Sequence, residues 1–167
     1  MEEAAALGET LAGEPVDLGV ATRLVRTQET LAVALGDRDV PRLVLPGLDE
    51  IGFGSYEGGP LEAYRAWAWT HEPDAPCPGG GESRAQAAVR FADALDELLE
   101  RPEDVVLAVS HALPVRYVVD ASDGIFPAAR IGPVPHATPF ELDAGAVTRA
   151  AGALRAWAAA PRFREPS

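Results

Sequence analysis

Val105-Val106-Leu107-Ala108-Val109 is an unbroken apolar run, rich in β-branched residues and closed by Ser110-His111. Such a run between turn signals predicts a fully buried parallel strand. Ala112-Leu113-Pro114-Val115-Arg116 follows and predicts a helix over 113–120, with Pro114 in a first turn that tolerates its missing N–H. Upstream, Val16–Ala21 predicts a short strand and residues 23–35 a helix, with Thr22 as its N-cap. Leu43-Val44-Leu45 predicts a brief strand ended by Pro46. Residues 2–12 predict a helix on Ala5, Leu7, Leu11 and Ala12, stopped by Gly13-Glu14-Pro15. Leu61–Trp69 predicts an amphipathic helix carrying Tyr64, Trp67 and Trp69. Glu82–Glu100 predicts a long one, with Ala88, Phe91, Ala92, Leu95, Leu98 and Leu99 on a core-facing stripe. Gly47–Gly59 and His71–Gly81 are irregular, rich in Gly, Pro and acid. Thr138–Leu142 and Ala146–Arg149 predict a terminal hairpin around Asp143-Ala144-Gly145. Residues 160–167 predict a loose tail.

Strands alternating with helices predict an α/β fold: a three-layer sandwich with a mainly parallel central sheet. The 167 residues suffice for one domain with a real core. No repeat or linker divides them, so a single domain is expected over 1–159. Hydrophobic content of 47% and charged content of 24% are ordinary for a globular chain. The formal net charge of −12 argues against nucleic acid or an anionic membrane surface as a partner. It leaves room for a small anionic ligand, which responds to the local site. All 14 basic residues are arginine, whose rigid fork suits phosphate and carboxylate. Cys77 is the only cysteine, which rules out an intrachain disulfide and a cysteine metal cluster. No apolar run approaches the ~20 residues of a membrane span, and the acidic N-terminus is unlike a signal peptide. A cytoplasmic location is expected.

His111 falls where a strand hands over to a helix. In an open α/β sheet that is the crevice where ligands bind, and helix N–H groups favour anions there. The alternative is a histidine that merely bonds a neighbouring carbonyl. Arg26, in the first turn after strand 16–21, can reach the same crevice and grip a phosphate bidentately, and Thr30 lies one helical turn on. Arg26 can otherwise be a solvated surface arginine, as Arg23 is expected to be. Glu50 precedes Gly52-Phe53-Gly54. It suits general acid–base work if apolar neighbours such as Phe53 raise its pKa; otherwise it is a loop carboxylate in water. Gly79-Gly80-Gly81 before a helix lets backbone approach a ligand closely, or forms an ordinary loop-to-helix passage. His71 and His136 read as structural or solvent-exposed, and Cys77 as incidental.

Taken in order, four pieces resemble a known family. They are Thr22-x3-Arg26-x3-Thr30, Leu48-x-Glu50-x2-Phe53-Gly54-x-Tyr56-Glu57-Gly58, Gly80-Gly81-Glu82-Ser83, and Val109-Ser110-His111 with Arg116 five residues on. Over roughly residues 2–150 they resemble the histidine phosphatase superfamily, the cofactor-independent phosphatase branch of the phosphoglycerate mutase-like fold. The resemblance implies phosphomonoester hydrolysis through a phosphohistidine, with no metal or organic cofactor and a small phosphorylated ligand. It implies that Arg26 binds the phosphoryl group, Glu50 donates the proton to the leaving group and His111 stabilises the transferring group. Ser110, Thr30 and Arg116 would support them. The helix at 61–69 and the loop 71–81 would line or cap the specificity side, with Trp67 and Trp69 there or in the core.

The family's attacking histidine sits in an Arg-His-Gly motif at the end of its first strand, and no Arg-His-Gly occurs in these 167 residues. Ala112 also stands where the family usually has glycine. The expected fold is therefore the family's with its first strand missing, a sheet edge exposed and activity lost or nearly so. Three readings stand. Met1 can be an internal start of a longer phosphatase. The chain can be a pseudo-enzyme that binds a phosphorylated ligand without turnover. It can also be an interaction module, a homo-oligomer included, built on the open edge.

Overall fold

The computed structural model describes residues 2–164. Its sheet has three parallel strands, β1 (Leu18–Ala21), β2 (Arg42–Val44) and β3 (Val106–Ala108), in the order β2-β1-β3. Gly19 pairs with Arg42 on one side and with Leu107 on the other. Six helices surround it: α1 (Glu2–Thr10), α2 (Val25–Leu35), α3 (Leu61–Ala68), α4 (Arg84–Leu99), α5 (Ala112–Ser122) and α6 (Ala144–Ala159). The fold is α/β, with helices on both faces of a parallel sheet.

Strand alternation decides which helix covers which face. Leu18 and Val20 point to α4 and pack with Ala94, Leu45 and Leu48. Ala21 points the other way and packs with Leu31 and Leu35 of α2. Gly19 lies under those two leucines; a Cβ there would come within 2.9 Å of Leu35 Cδ1. Helix α1 packs outside α2. The largest core lies beyond the sheet, where α4, α5 and α6 meet around Phe91, Tyr117, Leu154 and Trp157.

Helix α4 begins with a complete capping box: Ser83 Oγ accepts from Gln86 N, and Gln86 Oε1 accepts from Ser83 N. Four expectations need correction. The terminal hairpin is absent: residues 144–159 form α6, and 138–142 are irregular. Asp143 caps α6 by accepting from Ala146 N at 2.7 Å, and Ala146, Ala150, Leu154 and Trp157 bury one helical face. Alanine's helix propensity and that cap outweigh a four-residue alternation. Thr22 does not cap α2, whose N-cap is Leu24. The Thr22 hydroxyl still accepts weakly from Leu24 N at 3.3 Å, but faces the site described below. Strand β3 is only partly buried, and Ala108 is exposed, because its outer edge pairs with no strand among the described residues.

The expected loose tail is tied down through Arg164. Trp157 Nε1 donates to Arg162 O at 2.8 Å, and Arg164 N donates to Pro127 O at 3.0 Å. Residues 165–167 of that tail lie outside the described residues. No helix among the described residues is long and apolar enough to cross a membrane.

Candidate active site

Strands β1 and β3 end side by side, with Val20 opposite Ala108. Beyond β1 the chain turns through Thr22-Arg23-Leu24 into α2; beyond β3 it turns through Val109-Ser110-His111 into α5. The two turns bound the crevice at the carboxyl end of the sheet, where an α/β fold places its ligands. His111 is the N-cap of α5, with extended backbone (φ −120°, ψ 170°) and no side-chain cap bond. Its ring is therefore free for the crevice.

That ring is buried and held from both sides. Nδ1 lies 3.0 Å from Arg26 Nη2, and Nε2 lies 2.9 Å from Thr22 Oγ1. A guanidinium can only donate, so Nδ1 accepts and carries no proton. The proton of the neutral ring is on Nε2, which donates to Thr22 Oγ1. Thr27 Oγ1 lies 2.8 Å from Thr22 Oγ1 and 2.8 Å from Leu24 O, to which it donates. Thr22 Oγ1 therefore donates to Thr27, which completes one consistent chain of hydrogen bonds. Burial, then the Arg26 charge, pushes the imidazole pKa down from 6.5 to about 4. At neutral pH the ring is uncharged and faces an arginine.

Glu50 approaches from the loop after β2. Its Oε1 accepts from Ile51 N at 3.0 Å, and it makes no ion pair among the described residues. Burial raises its pKa; the Ile51 N–H and the charges of Arg26, Arg84 and Arg90 pull in the other direction. A carboxyl that holds its proton more readily than usual, close to three arginines, suits a proton donor.

The loop that carries Glu50 is clamped in place. Arg90 Nε and Nη2 grip both oxygens of Glu82, at 2.8 and 2.6 Å. Arg90 also donates to Gly47 O and Asp49 O at 3.0 Å, and to Glu50 O at 3.2 Å. Glu82 in turn accepts from Gly52 N at 2.8 Å. Gly79 and Gly81 serve this packing. Gly54 has φ +53°, and a Cβ there would collide with Pro78 O; a Cβ on Gly81 would lie 2.7 Å from Gly52 O. The Gly-rich loop thus approaches the Gly52–Ser55 backbone. Buried Asp49 joins the Glu50 loop to the Arg26 loop, accepting from Arg23 N at 2.9 Å and Arg23 Nε at 2.6 Å.

Arg26, His111 and Glu50 are therefore brought around one crevice. Ser110 braces it, since its hydroxyl donates to Leu48 O at 2.7 Å. Thr30 and Arg116 stand apart. Thr30 Oγ1 returns to Arg26 O at 2.9 Å within its own helix. Arg116 pairs with Asp120 at 3.3 Å and holds Pro133 O at 2.8 Å. His71 is exposed and stacks on Trp67, His136 is exposed, and Cys77 is buried and donates to Phe53 O. Trp67 is half-buried among Tyr56 and Tyr64, and Trp69 is exposed beneath Arg130. Among the described residues no cluster of three or more His, Cys, Asp or Glu side chains could hold a metal ion.

Sequence reasoning missed Thr22 as a partner of the ring, Thr27 as the residue that holds Thr22, Asp49 as the loop tie, and Arg84. Arg84 is buried against the hydroxyls of Tyr64 and Tyr117. Only the α4 stripe could have singled it out: a charged residue there, next to buried alanines, needs a reason to be inside.

The model of the histidine phosphatase superfamily (branch 1) matches residues 1–142. The adenosylcobalamin/alpha-ribazole phosphatase of Escherichia coli (strain K12) is 32% identical over 122 residues, 66% of this chain and 58% of that protein. The crystal structure of the alpha-ribazole phosphatase from Shigella flexneri superposes with a TM-score of 0.61 at 27% identity, covering 74% of this chain and 65% of that one. Bacillus stearothermophilus YhfR shares the fold at a TM-score of 0.65 and 20% identity, over 86% of this chain and 72% of its own. A mycobacterial glucosyl-3-phosphoglycerate phosphatase superposes at 0.57 with 26% identity, over 72% and 64%. The chain thus spans 58% of the length of the curated relative it matches. With the family model over most of its length and the phosphoglycerate mutase-like fold in its neighbours, the chain belongs to the histidine phosphatase superfamily.

Proposed function

We propose that this chain binds phosphomonoesters in the crevice between α2 and α5, with Arg26 and His111 on the phosphoryl group and Glu50 on the leaving oxygen. The observation that carries this reading is the 3.0 Å approach of Arg26 to His111 at the carboxyl ends of β1 and β3. A cation beside a neutral, titratable ring makes a site ready for an anion. As a phosphoryl group arrives, Arg26 turns its fork to the oxygens. Nδ1 then loses a positive neighbour and the ring gains a negative one, so His111 takes up a proton and donates to the oxygens. In the family's reaction Glu50 gives its proton to the ester oxygen as the P–O bond breaks, so the alcohol leaves neutral. These residues supply the phosphate grip and the acid. The attacking histidine is not among them, since Arg-His-Gly does not occur here. The chain itself accordingly binds phosphomonoesters and turns them over little or not at all. The reading includes a cytoplasmic setting and no metal or organic cofactor. Relatives named for alpha-ribazole and for glucosyl-3-phosphoglycerate share the phosphoryl group, and that group is the recognised element.

Orthovanadate and phenyl phosphate titrations by calorimetry test the reading. Arg26→Ala and His111→Ala each weaken both affinities by tenfold or more. Unchanged affinity in both variants contradicts the site. Rapid turnover of phenyl phosphate by the unsubstituted chain contradicts the missing-nucleophile part.

A further inference from the structure

The two edges of the sheet are guarded differently. The outer edge of β2 is flanked by Pro41 and Pro46 and carries Arg42. Proline and charge on an edge strand hinder pairing with another chain. The outer edge of β3 has neither. Val105-Val106-Leu107-Ala108-Val109 holds no proline and no charge, and Val105 and Ala108 are exposed.

Alternation along β3 decides which backbone groups lie open. Val105 O accepts from Leu18 N at 3.3 Å, and Val109 N donates to Val20 O at 2.8 Å, with Leu107 opposite Gly19. In a parallel ladder this register turns both polar groups of Leu107 toward β1. The N–H and C=O of Val106 and Ala108 therefore point outward, where no strand meets them among the described residues. On the side chains, Val106 packs on the α4 face, and Leu107 and Val109 pack on the α2 face.

We propose that two copies of this chain associate edge to edge through β3, antiparallel, about a two-fold axis at Leu107. That register sets Val106 against Ala108 of the second copy, and Ala108 against its Val106. Both members of each pair present an outward N–H and C=O, so each pair exchanges both hydrogen bonds of an antiparallel ladder. Leu107 meets its own counterpart at the axis, in a pair of the kind that brings side chains closest. A slip of one residue removes the hydrogen bonds. A slip of two sets apolar residues against Asp104 or Ser110, so this register alone keeps the whole apolar run opposite itself. The ends match in charge as well. Exposed Asp104 comes opposite Ser110 of the second copy, next to the N-terminus of its α5, where Arg26 bonds to His111. Acids are favoured at helix N-termini, and the two-fold makes this contact twice. The two sheets join as one, in the order β2-β1-β3-β3-β1-β2.

Sedimentation velocity over a rising concentration series, with hydrogen exchange read at single amides, tests this. A monomer–dimer equilibrium is expected, with no larger species. Exchange at the Val106 and Ala108 amides should slow as concentration rises, while Leu107 is protected throughout. Ala108→Pro deletes an N–H that the fold does not use and should weaken association by about tenfold or more. In β2, Gly19 N donates to Pro41 O and Leu45 N to Ala21 O, so the Val44 N–H points outward in the same way. Val44→Pro should leave association unchanged. A monomer at every concentration overturns the proposal. So does a dimer whose Val106 and Ala108 amides exchange at the monomer's rate, or a folded Ala108→Pro protein that associates as tightly as the unsubstituted chain. The exchange pattern decides even if Ala108→Pro fails to fold.

Discussion

Arg90 and Arg26 are both first-rank arginines of this fold, and they are used in opposite ways. Arg90 is saturated: one carboxylate takes two of its nitrogens, and three carbonyls of the Glu50 loop take the rest of its bonding. Arg26 is exposed and touches one neutral ring nitrogen. A saturated arginine has nothing left to offer a ligand and holds a loop still. An unsaturated one at the mouth of a crevice contributes little to stability and keeps its fork for an incoming anion. The fold spends its well-made ion pair on positioning Glu50 and leaves the contact at His111 open.

Arg90→Ala should give the largest effect on stability, about 3 kcal/mol, because it strips partners from Glu82 and from three carbonyls at once. Urea denaturation measures it. Arg26→Ala, in contrast, should leave stability within about 0.5 kcal/mol while it removes phosphate binding. Equal destabilisation by the two variants would erase the distinction drawn here.

The acid limb of stability sharpens the comparison further. His111 is held near 4 in the fold and titrates near 6.5 when unfolded. The unfolded chain thus takes up a proton that the folded chain refuses. Stability is fully present above about pH 6.5 and falls as the pH drops toward 4, by on the order of 2 kcal/mol from this group. Glu50 acts with the opposite sign, since its raised pKa lets the fold take up a proton early. The difference between the unsubstituted chain and His111→Gln isolates the histidine. Denaturant midpoints at pH 4.5, 5.5 and 7 should converge between the two proteins as the pH falls.

The crevice was legible in the sequence because it rests on local signals. An apolar run ending in His111, and an arginine in the first turn after another strand, are each set by a few adjacent residues. Their convergence follows from parallel pairing of β1 and β3, which the alternation of strands and helices implies. What stayed hidden depends on long-range partners. Thr22 looks like a helix cap because capping is its commonest use, yet its hydroxyl meets a ring 89 positions away. Asp49 and Glu50 are adjacent loop acids with the same local signature; only the fold gives one to Arg23 and leaves the other unpaired. The error at 138–149 was local too. Four alternating residues suggest a strand, but the alanine-rich stretch around them runs for 16 residues, is capped by Asp143 and forms a helix.

The most direct test of the open Arg26–His111 contact is an NMR titration of the His111 ring with and without saturating orthovanadate. The account predicts a neutral ring with its proton on Nε2 and a pKa near 4 in the free protein. It predicts a rise of that pKa toward neutrality when the anion binds, and no rise in Arg26→Ala. A ring whose pKa and chemical shifts ignore orthovanadate would contradict the phosphoryl site.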